Sequence, residues 1–523
     1  MCGILAVFCN ALPKQLKNIL SSGSYLARRG PDHTTSIIQS SGIYIFHRLA
    51  INDLSDQGNQ PMQDSGILMM CNGEIYNHNE LRQEYGLKCR SNSDCEVILR
   101  LYQKFGFVET IKKLHGVFAI VLVDKVADKI YLARDRIGVR PLYFGMTEEK
   151  FLAVSSIPNS LITFANAICQ FPPGLVAQHN PGSQNVIQYL HIDNLQLGSM
   201  PPCPEEQLYI DIRLTLMNAV KMRLLSDRPI GCLLSGGVDS SIIASILVSF
   251  LGADKVRTYS IGMEGSTDLF YARKVAMHLG TQHHEVLFTP QEGIEVISEV
   301  IQCLGSYDIT TVRASVGMYL ISRYISTHTN DKVIFSGEGS DEIFGGYLYF
   351  HNAPNENEAG QECLRLTKNL YLYDVLRADR CVSCHGLEPR VPFLDKDMVN
   401  LALSMPCSQK LPRHNYEKYA LRKAFEGYLP EDVLWRRKEG FSDGVSSLKK
   451  PWYSYIQEYA EKKIDNEIFN PRFPSKEAMY YKLLFDRHFP DYNLKINYWM
   501  PRWTQTSDPS GRLISAYDEK MQK

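Results

Sequence analysis

What this chain lacks narrows its role first. Its longest apolar run, Ile242 to Ala253, is broken by serines and too short to cross a bilayer. No basic stretch leads into an apolar one near the start, so no secretory signal is expected. Excess charge of either sign is missing. A formal net charge of -1 argues against the basic footprint of a nucleic-acid binder and against a polybasic membrane surface. There is no solenoid-length repeat and no low-complexity tract. The 13 cysteines are odd in number and irregularly spaced, which argues against a disulfide framework and for reduced thiols in a cytoplasmic compartment. Zinc spacing is missing too: His283 and His284 are adjacent and would point to opposite faces of a strand. Cys381-Val382-Ser383-Cys384-His385 matches the pattern of covalent haem attachment, but without an export signal it reads as packing thiols.

What is present is an ordinary globular composition, 44% hydrophobic and 22% charged, over 523 residues. That length calls for two or three domains. The first third is rich in short β-type segments: Gly42 to Ile51, Ile67 to Cys71, Val117 to Asp124, Lys129 to Ala133 and Phe151 to Ser155. Helical patterns interrupt them at about Pro13 to Arg28 and Ser93 to Leu114. Two groups of strands with helices predict stacked sheets covered by helices. Phe171-Pro172-Pro173-Gly174 is expected to close this region, and the proline-rich stretch Leu195 to Gln207 to link it to the next.

Beyond the linker, strand, loop and helix alternate. Ile230 to Leu234, Val256 to Ile261, Glu285 to Phe288 and Val333 to Phe335 read as strands, with helices at Ser240 to Phe250 and Asp268 to Leu279. This predicts a parallel sheet whose ligands bind beyond the carboxyl ends of its strands. After Asn352 the pattern is mostly helical.

Three features carry chemistry. Cys2 follows the initiator methionine. Once Met1 is removed, one residue carries both a thiol and an amine near neutral pKa, an arrangement suited to acyl transfer. Ser235-Gly236-Gly237-Val238-Asp239-Ser240 lies between a strand and a helix. Its glycines would let backbone N–H groups approach a phosphate, and Asp239 could reach a bound Mg²⁺. No lysine follows as a P-loop would require. The third feature, Ser336 to Glu342, sets Glu338, Asp341 and Glu342 among glycines beyond another strand end. Such carboxylates bind Mg²⁺, orient an ammonium or act as a base.

Together these pieces resemble the glutamine-hydrolysing asparagine synthetases nearly end to end. The likeness runs through Met1 to Ile4, Arg29 to Asp32, His47 to Ile51, Cys71 to Asn77, Ser93 to Glu96 and Ala133 to Gly138. It continues in the two loops, Tyr259 to Met263, Arg390 to Asp395, Lys438 to Gly444 and Asp508 to Ser510. The resemblance implies an N-terminal four-layer αββα Ntn-hydrolase (glutaminase) domain over residues 1–190. Over 205–523 it implies a synthetase domain: a parallel-sheet, adenine-nucleotide α-hydrolase-like (PP-loop) fold with extra helices.

It implies Cys2 as nucleophile and Asn72 and Gly73 as oxyanion hole. Glutamine would lie among Arg48, Leu49, Ala50, Ile51, Asn52, Asn72, Gly73, Glu74 and Asp94, with Arg48 and Asp94 on its α-carboxylate and α-ammonium. ATP would contact Leu233, Ser235, Gly236, Gly237, Asp239, Ser240, Ile261, Ser336, Gly337 and Lys438, with Mg²⁺ on Asp239 and Asp341. Glu338 would serve the synthetase chemistry through a β-aspartyl-AMP intermediate. Lys438 has a second reading, as one member of a solvated basic cluster from Arg436 to Lys438. The implied partners are glutamine, aspartate and ATP, with no nucleic acid, no membrane and at most a second copy of the chain. One departure stands out: Ile157 sits where the family usually has a glutamate thought to support the interface between the sites. Alternatives of other classes are an amidotransferase acting on another carboxylate and a catalytically silent relative with an assembly or sensing role.

Overall fold

The computed structural model describes residues 1–39, 41–180, 188–192, 194–447 and 449–513. The first domain holds two six-stranded antiparallel sheets. Its strands are β1 (Gly3–Phe8), β2 (His33–Gln39), β3 (Gly42–Arg48), β4 (Met62–Asp64), β5 (Ile67–Ile75), β6 (Gly116–Asp124), β7 (Lys129–Arg134), β8 (Tyr143–Thr147), β9 (Leu152–Ser155), β10 (Ala165–Gln170), β11 (Leu175–His179) and β12 (Gln188–His191). One sheet runs β10-β8-β9-β1-β3-β2 and the other β12-β11-β7-β6-β5-β4.

Side-chain alternation explains the layering. Ile4, Ala6 and Phe8 of β1 join Leu68, Met70, Ala119 and Val121 of the other sheet in one core. Leu5 and Val7 face the opposite way, toward Ile19 and Leu26. Beyond the second sheet, Met69, Cys71, Ile120 and Leu122 pack on Val97, Ile98, Leu101 and Ile111. Successive residues of a strand point to opposite faces, so strands covered on both sides read as unbroken apolar runs. The result is helix, sheet, sheet, helix, the four layers expected.

Several expected bounds shift. The Pro13 to Arg28 pattern is a helix only over Leu16–Ser22, followed by a 3₁₀ turn at Gly23–Leu26. The Ser93 to Leu114 pattern is two helices, Glu96–Phe105 and Phe107–Lys113, broken at Gly106, which takes φ 76. The expected strand Gly42 to Ile51 stops at Arg48, freeing residues 49–52 to form a loop. The Phe171–Gly174 segment does not close the domain; it is the turn between β10 and β11.

The linker carries no helix or strand from 194 to 204. Helix Glu205–Met222 then leads to a five-stranded sheet, β15-β14-β13-β16-β17, parallel throughout. Its strands are β13 (Ile230–Leu233), β14 (Arg257–Gly262), β15 (Gln282–Leu287), β16 (Val333–Phe335) and β17 (Glu388–Arg390). Helix Val238–Leu251 starts earlier than expected, so Asp239 and Ser240 sit in its first turn. Helix Thr267–Leu279 ends at Gly280 in the left-handed conformation, as its sequence predicts. No helix among the described residues is long and apolar enough to cross a membrane.

Two other expectations can be placed. Across β14 and β15, His283 bonds Thr258 and Ser260 while His284 stacks on Tyr259. Cys381 and Cys384 lie at the end of helix Asp374–Ser383, Cys381 fully buried. No disulfide joins any of the 13 cysteines.

Candidate active site

Cys2 leads directly into β1, and β5 carries Asn72, Gly73 and Glu74 past it in the facing sheet. The Cys2 N–H donates to Asn72 Oδ1 at 2.9 Å. Asn72 is completely buried, and its Nδ2 has no hydrogen-bond partner. A buried amide donor without an acceptor costs free energy unless something arrives to take its hydrogen. Gly73 is required by close approach: a Cβ there would lie 2.3 Å from the Val117 carbonyl oxygen. Met1 is present and buried, its amino group 3.5 Å from Glu388. The Cys2 nitrogen is therefore an amide in this form, and it becomes a base only when Met1 is cleaved off. Burial pushes the Cys2 thiol up, partly offset by that ammonium and by its contact with Leu49 O.

The loop after β3 wraps this point. Arg48 Nη1 donates to Ser55 O at 2.7 Å and Asn59 Oδ1 at 2.8 Å, and Nη2 reaches the Asn52 and Asp53 carbonyls. Asp94 accepts from the Ile75 N–H at 2.7 Å and from Asn52 Nδ2 at 3.4 Å. Burial holds its carboxyl above the usual range. Glu74 faces Arg390 of the second domain at 3.5 Å. The second domain also anchors the loop backbone: Arg228 donates to Ala50 O, the Asp227 N–H donates to Ile51 O, and Asp227 accepts from the Asp53 N–H.

A separate cavity opens beyond the carboxyl ends of β13, β14 and β16. It is lined by Leu233, Ser235, Gly237, Asp239, Ser240, Ile261, Ser336, Gly337, Glu338, Asp341 and Lys438. Of the residues expected there, Gly236 alone is absent from the lining. It takes φ 70, and a Cβ would lie 2.4 Å from the Ala272 nitrogen, so its role is to let the loop pass. The two loops press together at Gly337, where a Cβ would sit 2.9 Å from Asp239 Cβ.

Two lysines neutralise the carboxylates. Lys418 Nζ lies 2.6 Å from both oxygens of Asp239 and 2.8 Å from Asp341. Lys438 Nζ donates to the other Asp341 oxygen at 2.6 Å. Against the pull of burial, the two ammonium groups hold Asp341 well below the carboxylate range. Despite burial, Asp341 and Asp239 hold Lys438 above its usual value. Lys438 is thus turned into the cavity, and Arg436 is buried against Asp268, so the solvated-cluster reading describes only the exposed Arg437 between them. Glu338 is pushed up to about 7, mainly by burial and by Asp374 and Asp341, with Arg377 and Lys438 opposing.

Lys418, Arg377 and Asp374 escape a sequence reading. Lys418 sits in no glycine-rich loop and, at φ 54, in a backbone conformation unusual for lysine. Such strain at a buried cation is a local signal of function, visible only in the structure.

A cysteine beside an unpaired, buried amide donor and a separate cavity lined by two glycine-containing loops give one chain two candidate sites, the layout of a two-site amidotransferase. Comparison with known proteins places it further. A family model described as glutamine amidotransferase domain matches residues 1–198, and one described as asparagine synthase matches 211–360 and 352–507. The chain is 42% identical over 566 residues to the glutamine-hydrolysing asparagine synthetase of Gallus gallus, covering 100% of each. The Mus musculus and Homo sapiens enzymes of that name are each 42% identical over 558 residues, with 99% of both chains covered. The chain belongs to the glutamine-hydrolysing asparagine synthetases.

Proposed function

We propose that the chain makes L-asparagine from L-aspartate, converting ATP to AMP and pyrophosphate and drawing ammonia from glutamine. Residues 1–190 form the glutaminase and 205–523 the synthetase. The observation that carries the reading is the unpaired, buried Nδ2 of Asn72 beside Cys2. After Met1 is removed, the Cys2 amine takes the thiol proton and the sulfur attacks the glutamine side-chain amide. The oxyanion forms against Asn72 Nδ2 and the Gly73 N–H. The amine returns its proton to the leaving ammonia, and water then hydrolyses the thioester to glutamate. Asp94 holds the substrate ammonium and Arg48 its carboxylate, within the loop Leu49, Ala50, Ile51 and Asn52 and beside Glu74.

In the second cavity ATP lies along Leu233 and Ile261, its phosphates on Ser235, Gly237, Ser240, Ser336 and Gly337. The aspartate side-chain carboxylate attacks the α-phosphorus and pyrophosphate leaves. Lys438 and Lys418 offset the charge that develops on the phosphates. Ammonia then attacks the β-aspartyl-AMP carbonyl, and the tetrahedral adduct collapses with cleavage of the C–O bond to release AMP. Glu338, poised near pH 7, takes a proton from the attacking nitrogen. Asp239 and Asp341 already converge on one cation, the Lys418 ammonium, so the pair fits Mg²⁺. Bound there with the nucleotide, Mg²⁺ would screen phosphate charge while the lysines turn to the phosphate oxygens. The partners are small molecules, with at most a second copy of the chain, and we place the protein in the cytoplasm.

Cys2→Ala tests the division of labour. It is expected to abolish glutamine-dependent synthesis and to keep ammonia-dependent synthesis; loss of both would overturn the two-site reading. Offering other amino-acid carboxylates in place of aspartate, with AMP release as readout, separates this enzyme from one acting on a different acid.

A further inference from the structure

Helix Asp374–Ser383 belongs to the second domain, yet it touches the working parts of both. Arg377 donates to Glu338 at 2.8 Å and to Asp374 at 2.6 Å. Two residues further on, and so on the opposite side of the helix, Asp379 receives both ends of Arg29, at 2.8 Å and 3.3 Å. Ser383 accepts from the same Arg29 Nη1 at 2.8 Å. The remaining nitrogen, Arg29 Nε, donates to the Cys2 carbonyl at 3.1 Å. Arg380 adds a second hold, donating to Ser156 O at 3.0 Å, while Ser156 Oγ accepts from the Ile4 N–H at 3.0 Å.

The start of β1 is therefore gripped from outside its own domain. Arg29 and Asp379 are both almost fully buried, so neither can turn to water. Arg29 bonded on its other face to a carboxylate and a hydroxyl has little rotational freedom left. Its bond to Cys2 O then fixes the peptide next to the nucleophile, and so the direction in which the thiol points. Small misplacements of reacting groups are costly: about 1 Å can lose ~10²-fold in rate.

We propose that Asp379 is a positioning residue for Cys2, acting through Arg29, and that the Asp374–Ser383 helix makes the nucleophile respond to what occupies the second cavity. The proposal rests on the two-site function above. Arg377, on the same helix, is the group that must share Glu338 with incoming substrate.

The test measures glutamate release without ATP or aspartate, and alkylation of Cys2 by a saturating diazoketone analogue of glutamine. In Asp379→Asn both rate constants are expected to fall about tenfold, and in Ser383→Ala about two- to threefold, a part of the ~10²-fold available to misplacement. The KM for glutamine and the ammonia-dependent synthesis rate should stay near native in both. ATP with aspartate should change the alkylation rate of the native protein, and Asp379→Asn should blunt that response. Asp379→Asn leaves a buried guanidinium short of its counter-charge, so Ser383→Ala carries the test if that variant does not fold. Native alkylation and release in the variants, or a change confined to KM, would overturn the proposal, as would a parallel fall in ammonia-dependent synthesis in Ser383→Ala. A native protein that releases no glutamate would instead refute the function itself.

Discussion

Asn72→Asp removes one hydrogen-bond donor and changes almost no volume. In the native chain Asn72 Oδ1 accepts from the Cys2 N–H at 2.9 Å, and Nδ2 is buried with no partner. An unmet donor of this kind costs about 1–3 kcal/mol in the resting protein. That cost disappears when a tetrahedral oxyanion forms beside it, so the donor favours the transition state over the ground state. Loss of one such donor typically costs about 2.7–4 kcal/mol, or ~10²–10³ in kcat. Aspartate keeps the acceptor for Cys2 and replaces the donor with a second oxygen. Asn72→Ala loses both partners. Each variant should therefore lose at least ~10²-fold in glutamate release at saturating glutamine. Ammonia-dependent synthesis should be unchanged in both, because Asn72 lies in the first domain and lines none of the second cavity. If Asn72→Asp keeps glutaminase kcat within about threefold, the unpaired Nδ2 is not an oxyanion donor and the reasoning fails.

Other outcomes follow from the second cavity and the interface. With Glu338 pushed up to about 7, ammonia-dependent synthesis at a fixed concentration of free ammonia should rise with pH up to about 7 and level off above; a flat profile from pH 5.5 to 8.5 would exclude Glu338 as the base. The same shift has a stability sign. Between the usual 4.5 and about 7 the folded state holds a proton that the unfolded chain has released, so this carboxyl's contribution weakens as pH rises through that window. Lys418→Met should cost about 3–5 kcal/mol by leaving Asp239 without its ion-pair partner beside Asp341, which keeps Lys438. It should also abolish synthesis while glutaminase survives; chemical denaturation and the two assays decide. Ile157→Glu should couple glutamate release to asparagine formation at least as tightly as the native chain, since Arg380 nearby has two buried nitrogens without acceptors. Ile157 packs with Leu5, Val7 and Leu161, so its melting temperature should fall; a rise in glutamate formed per asparagine would refute the expectation.

How much was legible beforehand varies by residue. The parallel sheet was readable because strand and helix periods alternate cleanly after the linker. Strand β1 was not read as a strand, although its buried apolar run is of the same kind as that of β6, which was. Met1's burial against Glu388 could not be foreseen, because it depends on where the second domain's β17 lands.

The glycine loops, Cys2 and the Asn72–Gly73 pair were fixed locally, since each needs its residue types in one short stretch. That was enough to place the family. The tertiary structure alone decided which distant charges meet. Lys418 reaches Asp239 across 179 positions of chain, and Arg29 reaches Asp379 across 350. In both the cation is buried, and an ion is buried only where folding brings its counter-charge. Local sequence carries no trace of that partner; the folding of the second domain on itself supplies it for Lys418, and the packing of one domain against the other supplies it for Arg29.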